Sequence, residues 1–208
     1  MRLSWLTALA RTQFMDPLLA KIVFVFGFVV ANFVIRTPYI KAHKRLPIRS
    51  NRNTRLDTSL FIAVGVFGFF LPLLYVFTPL FSFADYSIPR WVGATGVVVL
   101  VSGNWVFWKS HKDLGGNWSP TLDIRQDHKL VTQGIYQRIR HPMYLSLWLL
   151  VIAQALILPN YVAGFAGLLP FAILYFQRVA REERMMVEEF GSEYERYLHK
   201  TGRLFPKF

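Results

Sequence analysis

Between His128 and Tyr144 the chain reads HKLVTQGIYQRIRHPMY, a polar and cationic run that stops where an apolar one begins. From Pro142 to Leu158 nearly every side chain is apolar, Pro159-Asn160 leaves room only for a tight turn, and Tyr161 to Phe176 is apolar again. Two helices joined by so short a turn must return antiparallel, so the start of the first lies beside the end of the second. His141 and Tyr144 are thereby brought near Arg178 and Glu182. The last two are four residues apart and share one helix face.

The rest of the chain explains the solvent of this hairpin. Of 208 residues 53% are hydrophobic, with 19 Phe and 6 Trp, too many for a soluble domain of this size. The apolar residues fall in blocks long enough to cross a bilayer. A formal net charge of +12 does not mark a nucleic-acid binder, because Lys and Arg flank the apolar blocks and do not cover a soluble face. Contact with anionic headgroups and membrane orientation account for it. Without cysteine there is neither a disulfide nor a thiolate nucleophile or cysteine metal site, and no metal is expected.

Taken in order, residues 1–15 form an amphipathic segment with Trp5, Leu6, Leu9 and Phe14 among Arg2 and Arg11, suited to the interface. Residues 1–16 lack a signal peptide's uninterrupted apolar core and small-residue cleavage site, so the first membrane helix is expected to serve as its own insertion signal. Asp16-Pro17 caps that first span, Pro17 to Ile35, whose Lys21 is expected to snorkel. Residues 36–55 hold seven Lys or Arg (Arg36, Lys41, Lys44, Arg45, Arg49, Arg52, Arg55) and no acid, which assigns that loop to the cytoplasm. The second span, Ser59 to Phe81, follows Asp57-Thr58 as a cap and is kinked at Pro72. The third, Pro89 to Trp108, carries Gly93, Gly96, Ser102 and Gly103 for close helix approach, and Asn104 for an interhelical hydrogen bond.

Lys109 to Arg140 reads as a long polar loop broken by Gly115-Gly116 and Pro120, and the weak alternation from Leu122 to Val131 gives it turns only. The hairpin supplies spans four and five, with Gln154 inside one and Pro170 kinking the other. The helix then continues from Gln177 to Phe190, Gly191 ends it, and Ser192 with Glu195 begins a last short helix as a capping box. The expected fold is all-α: one integral membrane domain, 1–208, with five transmembrane helices and a cytosolic C-terminal helical region. Residues 1–108 form a three-helix scaffold and 109–208 the functional region. The amino terminus lies outside, and the polar clusters share the cytoplasmic side.

Each motif residue has an ordinary reading. Arg178 and Glu182 could be a surface ion pair, His141-Pro142 a helix start, Gly134 a turn, and Tyr136 and Tyr144 interfacial anchors. Their order is more specific. The pattern L-V-T-x-G-x-Y-x-x-x-R-H-P-x-Y, an apolar hairpin, then E-E and F-G-x-E-Y, covers His128 to Pro206 and resembles the isoprenylcysteine carboxyl methyltransferase family and its phospholipid methyltransferase relatives.

That resemblance implies S-adenosyl-L-methionine as methyl donor in a cytosol-facing pocket. His128, Lys129, Leu130 and Val131 would line the donor, Tyr136 would cover it, and His141, Pro142, Met143 and Tyr144 would wall its sulfonium end. Glu182 would give the donor-contacting carboxylate with Glu183 beside it. Arg178 would face the substrate, and Arg178 with Tyr144 would be the catalytic side chains. Ser146 stands where the family pattern often has glycine, and Thr121 falls where it has glutamine, leaving that contact open.

Such roles suit the chemistry. Methyl transfer from a sulfonium needs alignment and dehydration more than acid–base help, and a carboxylate is already ionised near neutral pH. Aromatic faces and a carboxylate favour a nearby cation. The implied acceptor is a lipid-like small molecule, first an isoprenylcysteine carboxylate, with membrane lipids around it and no nucleic acid. Three alternatives stay open: a phospholipid headgroup amine as acceptor, which would give a basic limb in the pH–rate profile; a sterol-type reductase using NADPH; and a non-catalytic membrane subunit that binds no donor.

Overall fold

The computed structural model describes residues 15–43, 48–119, 123–125 and 129–207. The amphipathic segment expected at residues 1–15 falls outside them apart from Met15, as do His128, Thr121, Lys44 and Arg45.

Asp16 caps α1 (Pro17–Phe24) through its side chain, which accepts from Leu19 N, with Pro17 opening the helix. A π-helical stretch (Val25–Val30) leads into α2 (Ala31–His43). Helix therefore continues past Ile35, through part of the basic segment expected to be loop.

Thr54, not Asp57, caps α3 (Arg55–Gly65). Thr54 accepts from Asp57 N while Asp57 accepts from Thr54 N, a capping box read one turn too late in the sequence. The second span carries its irregularity at Val66–Phe70, a π-turn just before α4 (Leu71–Phe77). Pro72 explains it: its ring cannot sit over the carbonyl four residues back, so the preceding turn widens and Leu71 N reaches Val66 O.

Helix α5 (Arg90–Leu114) runs six residues beyond Trp108. Helix α6 (Pro142–Ile157) packs along it where glycines permit. A Cβ on Gly96 would lie 2.8 Å from Ile157, and one on Gly103 3.1 Å from Leu149. The expected hydrogen bond of Asn104 is present, from Nδ2 to Gly27 O at 2.8 Å. Lys21 does not snorkel: its Nζ donates to Tyr75 O at 3.3 Å and lies 4.4 Å from the Tyr75 ring centroid.

The turn after α6 is tight, and Asn160 caps α7 (Tyr161–Phe165) while Nδ2 donates to Phe81 O and Asp85 Oδ1. The break in the fifth apolar segment comes at Ala166-Gly167, where Gly167 backs onto Gly68, and Pro170 falls in the first turn of α8 (Leu168–Phe190). Gly191, at φ +53°, turns the chain directly into α9 (Ser192–Lys200). No side chain caps α9, so the expected capping box is not formed.

Among the described residues the regular structure is helical except for a two-stranded antiparallel ribbon joining β1 (Ile48–Asn51) to β2 (Asp123–Arg125). It corrects the loop reading at Asp123–Arg125, where the alternation was a strand signal too short to stand without a partner, while Lys129–Val131 are irregular as expected.

Four helical stretches, Pro17–Lys41, Arg55–Phe77, Arg90–Asn117 and Tyr161–Phe190, are long and apolar enough to cross a membrane. The protein is a helical integral membrane protein, and exposed Phe26, Val34, Phe77, Trp91, Leu169 and Phe176 make up part of its apolar exterior. Helix α6, at 16 residues, is about 24 Å long against an apolar slab of about 30 Å. It lies inside the bundle, with Leu150, Ala153 and Ile157 packed on Phe24, Tyr75 and Leu100.

Candidate functional site

All the sequence-predicted site residues that are described come together at one end of the bundle, where α2, α3, the end of α5, the start of α6 and the middle of α8 surround a cavity. Contacts between α6 and α8 set the register of the hairpin: Trp148 on Phe171 and Tyr175, then Tyr144 on Tyr175, then His141 at Glu182 and Glu183. That is the juxtaposition the tight turn demanded.

Lys129, Leu130, Val131, Tyr136, His141, Pro142, Met143, Tyr144, Arg178 and Glu182 line the cavity. The Tyr144 hydroxyl donates to Glu182 Oε2 at 2.9 Å, Arg178 Nε is 4.0 Å from the same oxygen, and His141 Nδ1 is 3.9 Å from Oε1. Arg178 is buried, its guanidinium 4.7 Å from the Phe61 ring centroid.

Glycine 134 shapes the approach to this wall. Its φ is +60°, and a Cβ there would run into the Asp113 carboxylate, which accepts from Ile135 N at 2.7 Å. The tight turn delivers Tyr136 into the interior, where its hydroxyl donates to Ser110 O. Burial, reinforced by the Glu182 charge, pushes the Tyr136 phenol well above its ordinary pKa, so it remains neutral and a donor. Ser146 fits without a glycine because its buried hydroxyl donates to Met143 O at 2.6 Å.

Glu183 faces elsewhere. It accepts from Arg140 Nε at 2.8 Å and Arg203 Nε at 3.0 Å, and lies 3.2 Å from His141 Nε2. Arg140 also reaches Thr201 O, Gly202 O receives Arg140 N, and Arg203 O receives His141 N. The carboxyl-terminal segment after α9 is thus stitched to the loop that ends at His141. Glu183 fastens this seam and is not among the residues lining the cavity.

Several cavity residues escaped the sequence reading. Trp118 is buried, with Nε1 donating to Met143 Sδ at 3.2 Å, and Asn117 Oδ1 accepts from Lys129 N at 3.0 Å. A lone tryptophan in a polar stretch was the available signal. Arg36 enters from α2 and lies 5.6 Å from the Trp118 ring centroid; it was counted only as loop charge.

Residues 96–188 match the isoprenylcysteine carboxyl methyltransferase (ICMT) family. The resemblance carried by the HP-x-Y and E-E motifs is therefore shown over this segment, which begins in α5 and ends in α8. Among curated relatives, the protein-S-isoprenylcysteine O-methyltransferase of Schizosaccharomyces pombe is 36% identical over 81 residues, 39% of this chain and 34% of that protein. That of Dictyostelium discoideum is 33% identical over 113 residues, covering 51% and 45%. Form A from Arabidopsis thaliana is 24% identical over 163 residues, covering 77% and 83%.

The match thus spans from about a third to a little over half of the first relatives' length. A solved eukaryotic intramembrane Ras methyltransferase of the ICMT type superposes with a TM-score of 0.54 at 22% identity, over 85% of this chain and 60% of that one. At that identity the likeness shows the fold.

Proposed function

We propose that this chain is a membrane methyltransferase that uses S-adenosylmethionine to methylate the carboxylate of an isoprenylcysteine. The observation that carries this reading is the setting of Glu182, a carboxylate on a cavity wall between His141, Tyr144 and Arg178. The cavity fits the donor's chemistry: a carboxylate and tyrosine faces for positive charge, beside apolar Leu130 and Val131. When bound, S-adenosylmethionine supplies an electrophilic methyl group on a sulfonium.

The chain's own residues then have separable tasks. Glu182 draws the donor's cationic groups to the α8 wall, and Tyr144 fixes that carboxylate through its hydroxyl. Leu130, Val131, Pro142 and Met143 exclude water from the reacting end. Arg178 orients the acceptor carboxylate, and its buried guanidinium needs no proton transfer to do so. The name of the relatives also widens the acceptor from a small lipid-like molecule to a lipid-modified protein.

The topology reading goes with this. The short α6 acts as a fifth, internal span, the amino terminus lies outside, and the end carrying Arg36, Arg52, Arg140 and Arg178 faces the cytoplasm with the carboxyl-terminal helices. Residues 1–108 are the scaffold and 109–208 the catalytic region, with α2 and α3 contributing to the cavity wall.

Calorimetric titration of S-adenosylhomocysteine into the detergent-solubilised chain tests the reading. Saturable binding, followed by methyl ester formation on an isoprenylcysteine, is the expected result. No binding by folded protein would sink it, and transfer to phospholipid amines with a basic pH limb would replace the acceptor.

A further inference from the structure

The cavity's charge is lopsided. Arg36, Lys129, Arg140 and Arg178 line it, but among the described residues the one acidic side chain on its wall is Glu182, already taken up with Tyr144, His141 and Arg178. Arg140 is neutralised from outside by Glu183. Arg36 has no ion-pair partner among the described residues: its Nε is buried without a hydrogen bond, and its guanidinium rests near the buried Trp118 ring at 5.6 Å. The charges of Arg36 and Arg178 repel each other across the cavity.

A buried cation without a counter-charge is costly, and two guanidiniums facing one space are relieved together by one anion. A cationic sulfonium donor would make the space still more positive, so the remaining ligand must bring negative charge. Position separates the two carboxylates available. Arg36 stands on α2, whose neighbouring Phe33 and Val34 are exposed apolar side chains of a membrane-spanning helix, whereas Asn117 and Lys129 to Val131 edge the cavity from the loop. An amphiphile arriving from the lipid meets Arg36.

We propose that Arg36 is a second acceptor-binding residue, pairing with Arg178 to clamp the acceptor's carboxylate and to disfavour amine acceptors. The word acceptor rests on the methyltransferase reading; the anion selectivity does not. An arginine on each side also gives planar, two-point recognition that a lysine cannot reproduce.

The test measures equilibrium binding of N-acetyl-S-farnesylcysteine and of its carboxamide to the full chain saturated with S-adenosylhomocysteine, for the native protein, Arg36→Gln and Arg36→Lys. The native protein should prefer the acid by about tenfold or more, as a charge-assisted clamp predicts. Arg36→Gln should erase most of that ratio while leaving amide and S-adenosylhomocysteine affinities unchanged, and Arg36→Lys should restore part of it. Because the ratio is read within each variant, and retained S-adenosylhomocysteine binding reports the fold, general damage does not mimic the effect. An acid-to-amide ratio unchanged in Arg36→Gln would overturn the proposal. So would a matching loss of S-adenosylhomocysteine affinity, which would make the guanidinium a holder of the donor's carboxylate. Failure of the methyltransferase reading looks different: S-adenosylhomocysteine does not bind and no methyl ester forms, yet the folded chain alone keeps the Arg36-dependent preference for the acid.

Discussion

Glu182 and Glu183 are neighbours in sequence and belong to two different regions of the molecule. Glu182 opens onto the cavity, its side chain 31% exposed, and touches Tyr144, Arg178 and His141. Glu183 is 10% exposed at its side chain and meets Arg140, Arg203 and His141 in the seam that binds the carboxyl-terminal segment. A helix turns about 100° per residue, so adjacent carboxylates cannot serve one site equally. One is left facing a ligand space because the other is spent on the framework, and His141 spans both.

The contrast breaks most visibly through Glu183→Ala. That change strands Arg140 and His141 beside an emptied acceptor position, and removal of one partner from a buried ion pair costs about 3–5 kcal/mol. Arg203 is half exposed, so about 3 kcal/mol is expected, read as a lowered unfolding midpoint in detergent. A normal midpoint with lost S-adenosylhomocysteine binding would reverse the roles of the two glutamates.

Glu182→Ala should do the opposite, leaving the unfolding midpoint near native. Hydrogen bonds to charged groups are worth about 1.5–3 kcal/mol, so S-adenosylhomocysteine affinity should fall about tenfold to a hundredfold by calorimetry. Undiminished affinity would remove Glu182 from the donor site. Arg178→Ala sharpens the contrast within α8 itself: donor affinity should hold while turnover of a carboxylate acceptor drops at least about tenfold, the loss of one charge-assisted contact. Unchanged turnover would leave Arg178 with only its packing on Phe61.

Much of this was legible. The two-residue turn at Pro159-Asn160 fixed the register that puts His141 beside α8, because a tight turn has few solutions. The small residues of α5 did mark close packing, and Asn104 did find an interhelical partner. What stayed hidden depends on contacts distant in sequence. Asp57 looked like a cap residue because its bond to Thr54 N and its pairing with Arg181 leave no mark at Asp57 itself. The β1–β2 ribbon joins segments about seventy-five residues apart, and neither half is persuasive by itself. Arg36 was absorbed into a charge count, since positive-inside reasoning weighs basic residues without asking which of them turn inward.

The smallest change probes the link between the two glutamates' regions. Tyr144 stands between His141, whose ring centroid is 5.6 Å away, and Glu182, to which its hydroxyl donates at 2.9 Å. Tyr144→Phe keeps the ring on Tyr175 and removes only that donor, so packing of α6 on α8 should be preserved and the unfolding midpoint should move little. A single hydrogen bond contributes about 1 kcal/mol net, and S-adenosylhomocysteine affinity should weaken about fivefold. The ordering matters more than the size. If Tyr144→Phe matched Glu182→Ala, the hydroxyl itself would be a donor-binding contact and Glu182 its support. An effect confined to acceptor turnover would instead move Tyr144 beside Arg178.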